Sequence, residues 1–139
     1  MATFSGINEQ FKKHVEQLAQ KAMSKGNSVK STVIEEGKIH VKTDVYDVYT
    51  PKVYERTSKL QNSWDWQDTP DGIEIVNTRT DDGRYVAEIV ETGQGYQYDF
   101  PYNGVPRPFV ENTRESLRKD DRLKNALKKD MQSIGLDVK

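Results

Sequence analysis

Ser63-Trp64-Asp65-Trp66-Gln67-Asp68-Thr69-Pro70-Asp71-Gly72-Ile73-Glu74-Ile75-Val76 is the stretch on which the fold turns. The alternation from Ser63 to Trp66 puts both tryptophans on one face of a strand. Thr69-Pro70-Asp71-Gly72 follows as a turn, because proline presets φ and glycine tolerates positive φ. Ile73 to Val76 is then a short return strand, and Asp81-Asp82-Gly83 marks a second turn. Tyr85 to Glu91 reads either as a strand or as a short helix, the helical option grouping Tyr85, Val86, Ile89 and Val90.

Helical patterns flank this sheet. Ile7, Phe11, Val15, Leu18, Ala19, Ala22 and Met23 fall on one stripe at spacings of three and four. Ser5 is a candidate N-cap for that helix, and Gly26-Asn27 ends it. Residues 28–49 suit two periods. Val29, Val33, Gly37, Val41, Val45 and Tyr49 recur every fourth residue, whereas Ile39, Val41, Thr43 and Val45 alternate as a strand would. The reading leans to a helix, and Pro51 breaks whatever precedes it. Gly93 to Gly104 is a long glycine- and tyrosine-rich loop. Pro108 is well placed at a helix start, where its missing N–H costs nothing. Val110, Thr113, Leu117, Leu123, Leu127 and Met131 carry a stripe towards Gly135, thinning between Leu117 and Leu123. The order of elements predicts an α+β fold: an N-terminal helix or helices, a small antiparallel sheet and a long C-terminal helix, in one domain over residues 1–139.

Composition narrows the chemistry. The 139 residues contain no cysteine, which excludes disulfides, thiolate metal sites and a cysteine nucleophile. Two histidines, His14 and His40, offer almost nothing for an imidazole centre. His14 beside Val15 reads as a partly buried structural residue, because a single helical histidine lacks metal spacing. Paired carboxylates occur at Glu35-Glu36, Asp81-Asp82 and Asp120-Asp121, but none shows the convergence that hydrolytic catalysis needs. Gly93-Gln94-Gly95 lacks the lysine and hydroxyl of a phosphate loop. No catalytic, cofactor-binding or metal residue is assigned, and the chain is not read as an enzyme. No stretch approaches the roughly 18 apolar residues of a membrane span, and Met1 to Gln10 has no signal-peptide pattern. A protein made and used in the cytosol, or released from it, is expected.

Apolar residues make up 34% of the chain and charged residues 31%. That is too little for a generous core, so either disorder or burial against other subunits should follow. Eleven of the thirteen aromatics lie between Tyr46 and Phe109, which favours order there. The net charge of −1 conceals an uneven spread. Asp65 to Asp99 holds nine acidic against two basic residues, and Arg107 to Asp130 holds eight basic against five acidic. Such runs are most simply solvated faces; the sharper reading is complementary surfaces on neighbouring subunits. Tyr96, Tyr98, Phe100 and Tyr102 alternate as on a base-stacking platform, yet their acidic setting would repel phosphate, so protein contact is preferred.

Three segments together resemble a known family. They are Val48-Tyr49-Thr50-Pro51-Lys52-Val53-Tyr54-Glu55-Arg56-Thr57-Ser58-Lys59-Leu60-Gln61-Asn62-Ser63, then Tyr85 with Ile89-Val90-Glu91-Thr92-Gly93, then Arg107-Pro108-Phe109-Val110. Their order and spacing over about residues 46–130 are similar to the tail-completion, or head–tail joining, proteins of long-tailed bacteriophages, including the lambda minor tail protein Z group. This chain departs in having Ser58 where members often have glycine, and its tyrosine loop is longer than in many members.

The resemblance implies an α+β subunit forming a homo-oligomeric ring, a hexamer by expectation, at the neck of a virion assembled in the bacterial cytoplasm. Its partners would be the head-completion or connector protein and the tail tube protein. Double-stranded DNA would pass through unread, and no membrane or cofactor is implied. Pro51, Arg56, Leu60 and Ser63 would fix the turn from helices into sheet. Glu91 and Gly93 would set the loop's departure, Arg107 would brace it by pairing with a carboxylate such as Glu91, and Phe109 would anchor the last helix. Tyr54, Trp64, Tyr96, Tyr98 and Pro108 complete the structural and interface candidates. An acidic 65–99 region lining the channel would keep DNA from sticking. The alternative is a small monomeric adaptor or inhibitor that binds a host protein through the tyrosine loop.

Overall fold

The computed structural model describes residues 4–51 and 58–136, with side chains from residue 9 onward. It is an α+β structure with the helices α1 (Phe4–Lys25), α2 (Ser28–His40), α3 (Lys59–Asn62), α4 (Val86–Thr92), α5 (Phe109–Arg118) and α6 (Arg122–Ser133). Two small antiparallel sheets pair β1 (Trp64–Thr69) with β2 (Gly72–Asn77) and β3 (Thr80–Asp81) with β4 (Arg84–Tyr85). The described residues gather into two compact units. The first contains the chain up to Thr32, Trp66–Ile75 and the chain from Arg122; the second contains Val33–Asp65 and Val76–Asp121.

In the first unit α1 packs on α6. The buried apolar residues there are small: Ala22, Val29 and Ala126. Phe11 is 69% exposed and Val15 and His14 are exposed too, so Phe11 and Val15 of the α1 stripe face outward and His14 is not the partly buried residue expected. Ser5 lies inside α1 rather than capping it, the helix having already begun at Phe4. Gly26 follows the end of α1, its N–H donating to the Ala22 carbonyl. Its lack of a side chain makes room for Asp130, whose Oδ1 would lie 2.1 Å from a Cβ. Asp130 is 2% exposed and accepts the N–H of Ser28 at 2.9 Å and of Val29 at 3.0 Å, capping α2 from α6. Lys30 donates to the Ser24 carbonyl at 2.7 Å and sits 3.3 Å from the centre of the Trp66 ring.

The second unit holds a core of Val41, Val45, Leu60, Ala87, Val90 and Phe109, with Tyr46, Trp64, Val86 and Val110 packed on it. Residues 28–46 are helical, as the four-residue recurrence suggested, but α2 widens into a π-helical segment at Val41–Tyr46. The Asp47 N–H reaches back five residues to Lys42. Val41 and Val45 from this segment are both buried. Mid-helix Gly37 has its reason in packing: a Cβ there would lie 2.6 Å from the Trp64 ring.

The turns fall where the sequence put them, with one difference in mechanism. Asp82 (φ 51°) and Gly83 (φ 75°) join β3 to β4 in the positive-φ geometry of a type I′ hairpin, pairing Asp81 with Arg84. Gly72 opens β2 but is not among the positive-φ residues. The segment 85–91 resolves as β4 ending at Tyr85, then helix α4. The long C-terminal helix is two helices. Lys119-Asp120-Asp121 interrupts it, because all three side chains are charged and exposed and none can hold the stripe to a core.

Candidate functional site

Residues of the three signature segments meet in the second unit. Leu60 and Phe109 are 7% and 0% exposed and share its core. Trp64 meets Phe109 edge-on at 6.3 Å and donates its indole N–H to the Gln61 carbonyl at 2.9 Å. Ser63 lies at the α3–β1 corner, its carbonyl accepting Thr78 N–H at 2.8 Å and its hydroxyl donating to Lys59 O. Pro51 is half-buried and outside any helix; Tyr54 and Arg56 lie outside the described residues.

Ser58, immediately before α3, has φ 62° and ψ 13°. The left-handed backbone that a glycine would favour is therefore present without one. A side chain there costs roughly 1–2 kcal/mol.

Glu91 and Arg107 both act at the loop base, but not on each other. The Glu91 carboxylate accepts the N–H groups of Val110 (2.8 Å) and Glu111 (3.1 Å), supplying the cap that α5 lacks locally, since Pro108 occupies its N-cap position. Arg107 instead donates to the Tyr96 hydroxyl at 2.7 Å and to the Val45 carbonyl at 3.5 Å, and its guanidinium carbon lies 4.7 Å from the Tyr102 ring centre. The expected Arg107–Glu91 pair is replaced because the first turn of α5 takes the carboxylate.

The loop is closed at its base. Gly93 (φ 73°) is the C-cap of α4, and its carbonyl accepts Gly104 N–H at 2.7 Å. A Cβ on Gly93 would meet the Val105 backbone at 2.5 Å. Within the loop, Phe100 sits between Tyr96 (4.6 Å) and Tyr98 (4.9 Å), and Tyr49 closes on Phe100 at 5.4 Å. Tyr102 donates its hydroxyl to Val48 O at 3.1 Å. These rings cluster on Phe100, with the Arg107 guanidinium against Phe100 and Tyr102, rather than standing as a row of free aromatics. Tyr96 is half-buried, and Tyr98 is 41% exposed. A compact Ω-type loop, with its ends joined and its own side chains as filling, is the result.

Beside this loop a cavity of about 510 Å³ opens within the second unit. Its apolar lining includes Val45, Leu60, Val86, Ile89 and Val90. A polar seam joins α2 to α5 in the same unit. His40 contacts Asp44 through Nδ1 at 2.7 Å and Glu36 through Nε2 at 3.3 Å, while Ser116 donates to Glu36 and Asn112 to Asp44. Among the described residues no cluster of three or more His, Cys, Asp or Glu side chains could hold a metal ion. No helix of the described residues is long and apolar enough to cross a membrane.

Asp130, Asn77 and the His40 seam carry structural roles that sequence reasoning missed. Asn77 is 2% exposed and donates to Leu60 O at 2.6 Å, fixing α3 against β2. A polar residue ending a predicted strand gave a faint signal; Asp130, a hundred residues from the helix it caps, gave none.

A family model described as YomN matches residues 8–133. The chain is 42% identical over 126 residues to the SPbeta prophage-derived uncharacterized protein YomN of Bacillus subtilis (strain 168), an alignment covering 88% of this chain and 90% of that one. No solved structure matches. These relationships point to a phage-derived protein; neither carries a tail-completion name.

Proposed function

The chain belongs to the YomN family, and we propose that it is a structural virion protein which joins or terminates the tail at the neck as a ring subunit. The observation that carries this reading is the meeting of Leu60, Val90 and Phe109, one from each signature segment, in a single core. Segments that are separate in the chain thus behave as one structural signature, in a protein of phage descent. Two further observations support it. Among the described residues, buried apolar side chains are few, and Phe11, Val15, Ile39, Trp66 and Val105 remain at the surface, as suits a subunit that completes its burial against others. The tyrosine loop is also preordered, so presenting it to a neighbour costs little further entropy.

In this account the protein performs no catalysis and holds no cofactor. Its neighbours are copies of itself, a head-completion or connector protein and the tail tube protein, and DNA passes through the ring unread. Of the acidic residues of 65–99, Asp65, Glu88 and Asp99 are exposed and lie on neither the hairpin tip nor the cavity lining, so they are available to face a channel. The test is the oligomeric state by light scattering and electron microscopy, alone and with the tail tube protein. Closed rings are expected. A protein that stays monomeric in both conditions supports the adaptor reading instead.

A further inference from the structure

Among the described residues, the cavity beside the tyrosine loop is lined by four cations, Lys59, Arg79, Arg84 and Arg107, against two carboxylates, Asp81 and Asp82. Among the described residues, the ion pairs all lie elsewhere, and none involves these six groups. Arg107 is 6% exposed, and among the described residues its Nε has no hydrogen-bond partner. A buried guanidinium without a counter-charge is costly, and its fork geometry matches a carboxylate. The site therefore suits a narrow, acidic group.

The chain carries such a group in its first unit. Between Trp66 and Ile75 there are three carboxylates, Asp68, Asp71 and Glu74, and no cation. All three are exposed, and the β1–β2 ribbon that bears them ends in the tight turn Thr69-Pro70-Asp71-Gly72. We propose that the Asp68–Gly72 hairpin tip of one copy docks into the Arg79–Arg84–Arg107 cavity of the next copy. The inference rests on the ring-subunit reading and names the contact through which copies join. The two patches differ, so the contact is heterologous, and repeating it with a closing rotation generates a ring. Its charge pairs are the arginine–carboxylate type that steers association and fixes register.

The absence of cysteine makes the test direct. One variant carries Pro70→Cys at the tip and the other Gln97→Cys at the cavity, each with a tag of different mass. Neither substitution removes a charge from the proposed pairs. Mixed under mild oxidation, they should form the mixed disulfide in about tenfold higher yield than Pro70→Cys with Glu115→Cys, a position on α5 that does not line the cavity. Adding Asp68→Lys and Asp71→Lys to the tip variant should remove the product, and Arg79→Glu with Arg84→Glu on the partner should restore it. A yield no higher than the α5 control overturns the docking, as does a protein monomeric at every concentration. Rings that assemble without this cross-link overturn the docking alone and leave the neck reading standing. A specific cross-link in a protein whose loss leaves virions normal does the reverse.

Discussion

The Glu91 carboxylate at the end of α4 accepts the Val110 N–H in the first turn of α5 at 2.8 Å. One side chain thereby supplies the cap that Pro108 cannot provide, and it fastens the two ends of the tyrosine loop from outside. Glu91→Ala should cost about 1–2 kcal/mol in chemical denaturation, with Glu91→Gln recovering part of the loss. An unchanged denaturation midpoint for the alanine variant would show that α5 needs no such cap.

Asp130 makes the corresponding link in the first unit, through Ser28 and Val29. Asp130→Ala leaves the buried Val29 N–H without an acceptor and should destabilise by about 2–3 kcal/mol. Gly26→Ala should be comparably harmful, because its new methyl competes for the space of Oδ1. Since both changes act on the same contact, the double variant should lose less than the sum of the two. Additive losses would mean that the two residues act independently.

Ser58 offers the opposite sign. Glycine relieves the left-handed strain there but adds freedom to the unfolded chain, so Ser58→Gly should gain about 0.5–1 kcal/mol. Thermal unfolding of the two proteins side by side decides it. A lower melting temperature for the glycine variant would contradict the strain.

Gly37→Ala pits helix propensity against packing. Alanine is better than glycine in a helix by about 1 kcal/mol, yet the methyl would lie 2.6 Å from the Trp64 indole. Overpacking of this kind costs about 1–3 kcal/mol, so a net loss is expected, together with a shift in tryptophan fluorescence. A stabilised variant with unchanged emission would show that the indole has room to move.

Arg107→Lys keeps the charge and loses the fork that reaches both Tyr96 and Val45. It should weaken the near-ultraviolet circular dichroism of the tyrosine cluster and cost about 1–3 kcal/mol. Retention of both signals would show that the cluster holds without its central guanidinium.

Local features were legible in the sequence. Asp82-Gly83 and Pro70-Asp71 form turns because adjacent residues set the backbone there. The recurrence through Val41 and Val45 likewise pointed to a helix, though nothing in it revealed the wider π-helical segment. What escaped were contacts between distant residues. Gly37 is tolerated mid-helix only because Trp64 lies on it, and Glu91 is drawn from Arg107 to the start of α5. The loop's aromatics alternate in the sequence as on a stacking platform, but their rings gather into a cluster on Phe100 with Arg107 against it. The C-terminal stripe thins between Leu117 and Leu123 yet reads as one helix, whereas the charges of Lys119-Asp120-Asp121 leave nothing apolar to hold one helix together.

The most direct measurement is deletion of the gene from the phage or prophage that encodes it, followed by electron microscopy and infectivity assays after induction. The account predicts DNA-filled heads and separate tails that fail to make infectious particles, with infectivity restored by the wild-type protein. Normal, fully infectious virions from the deleted phage would contradict it.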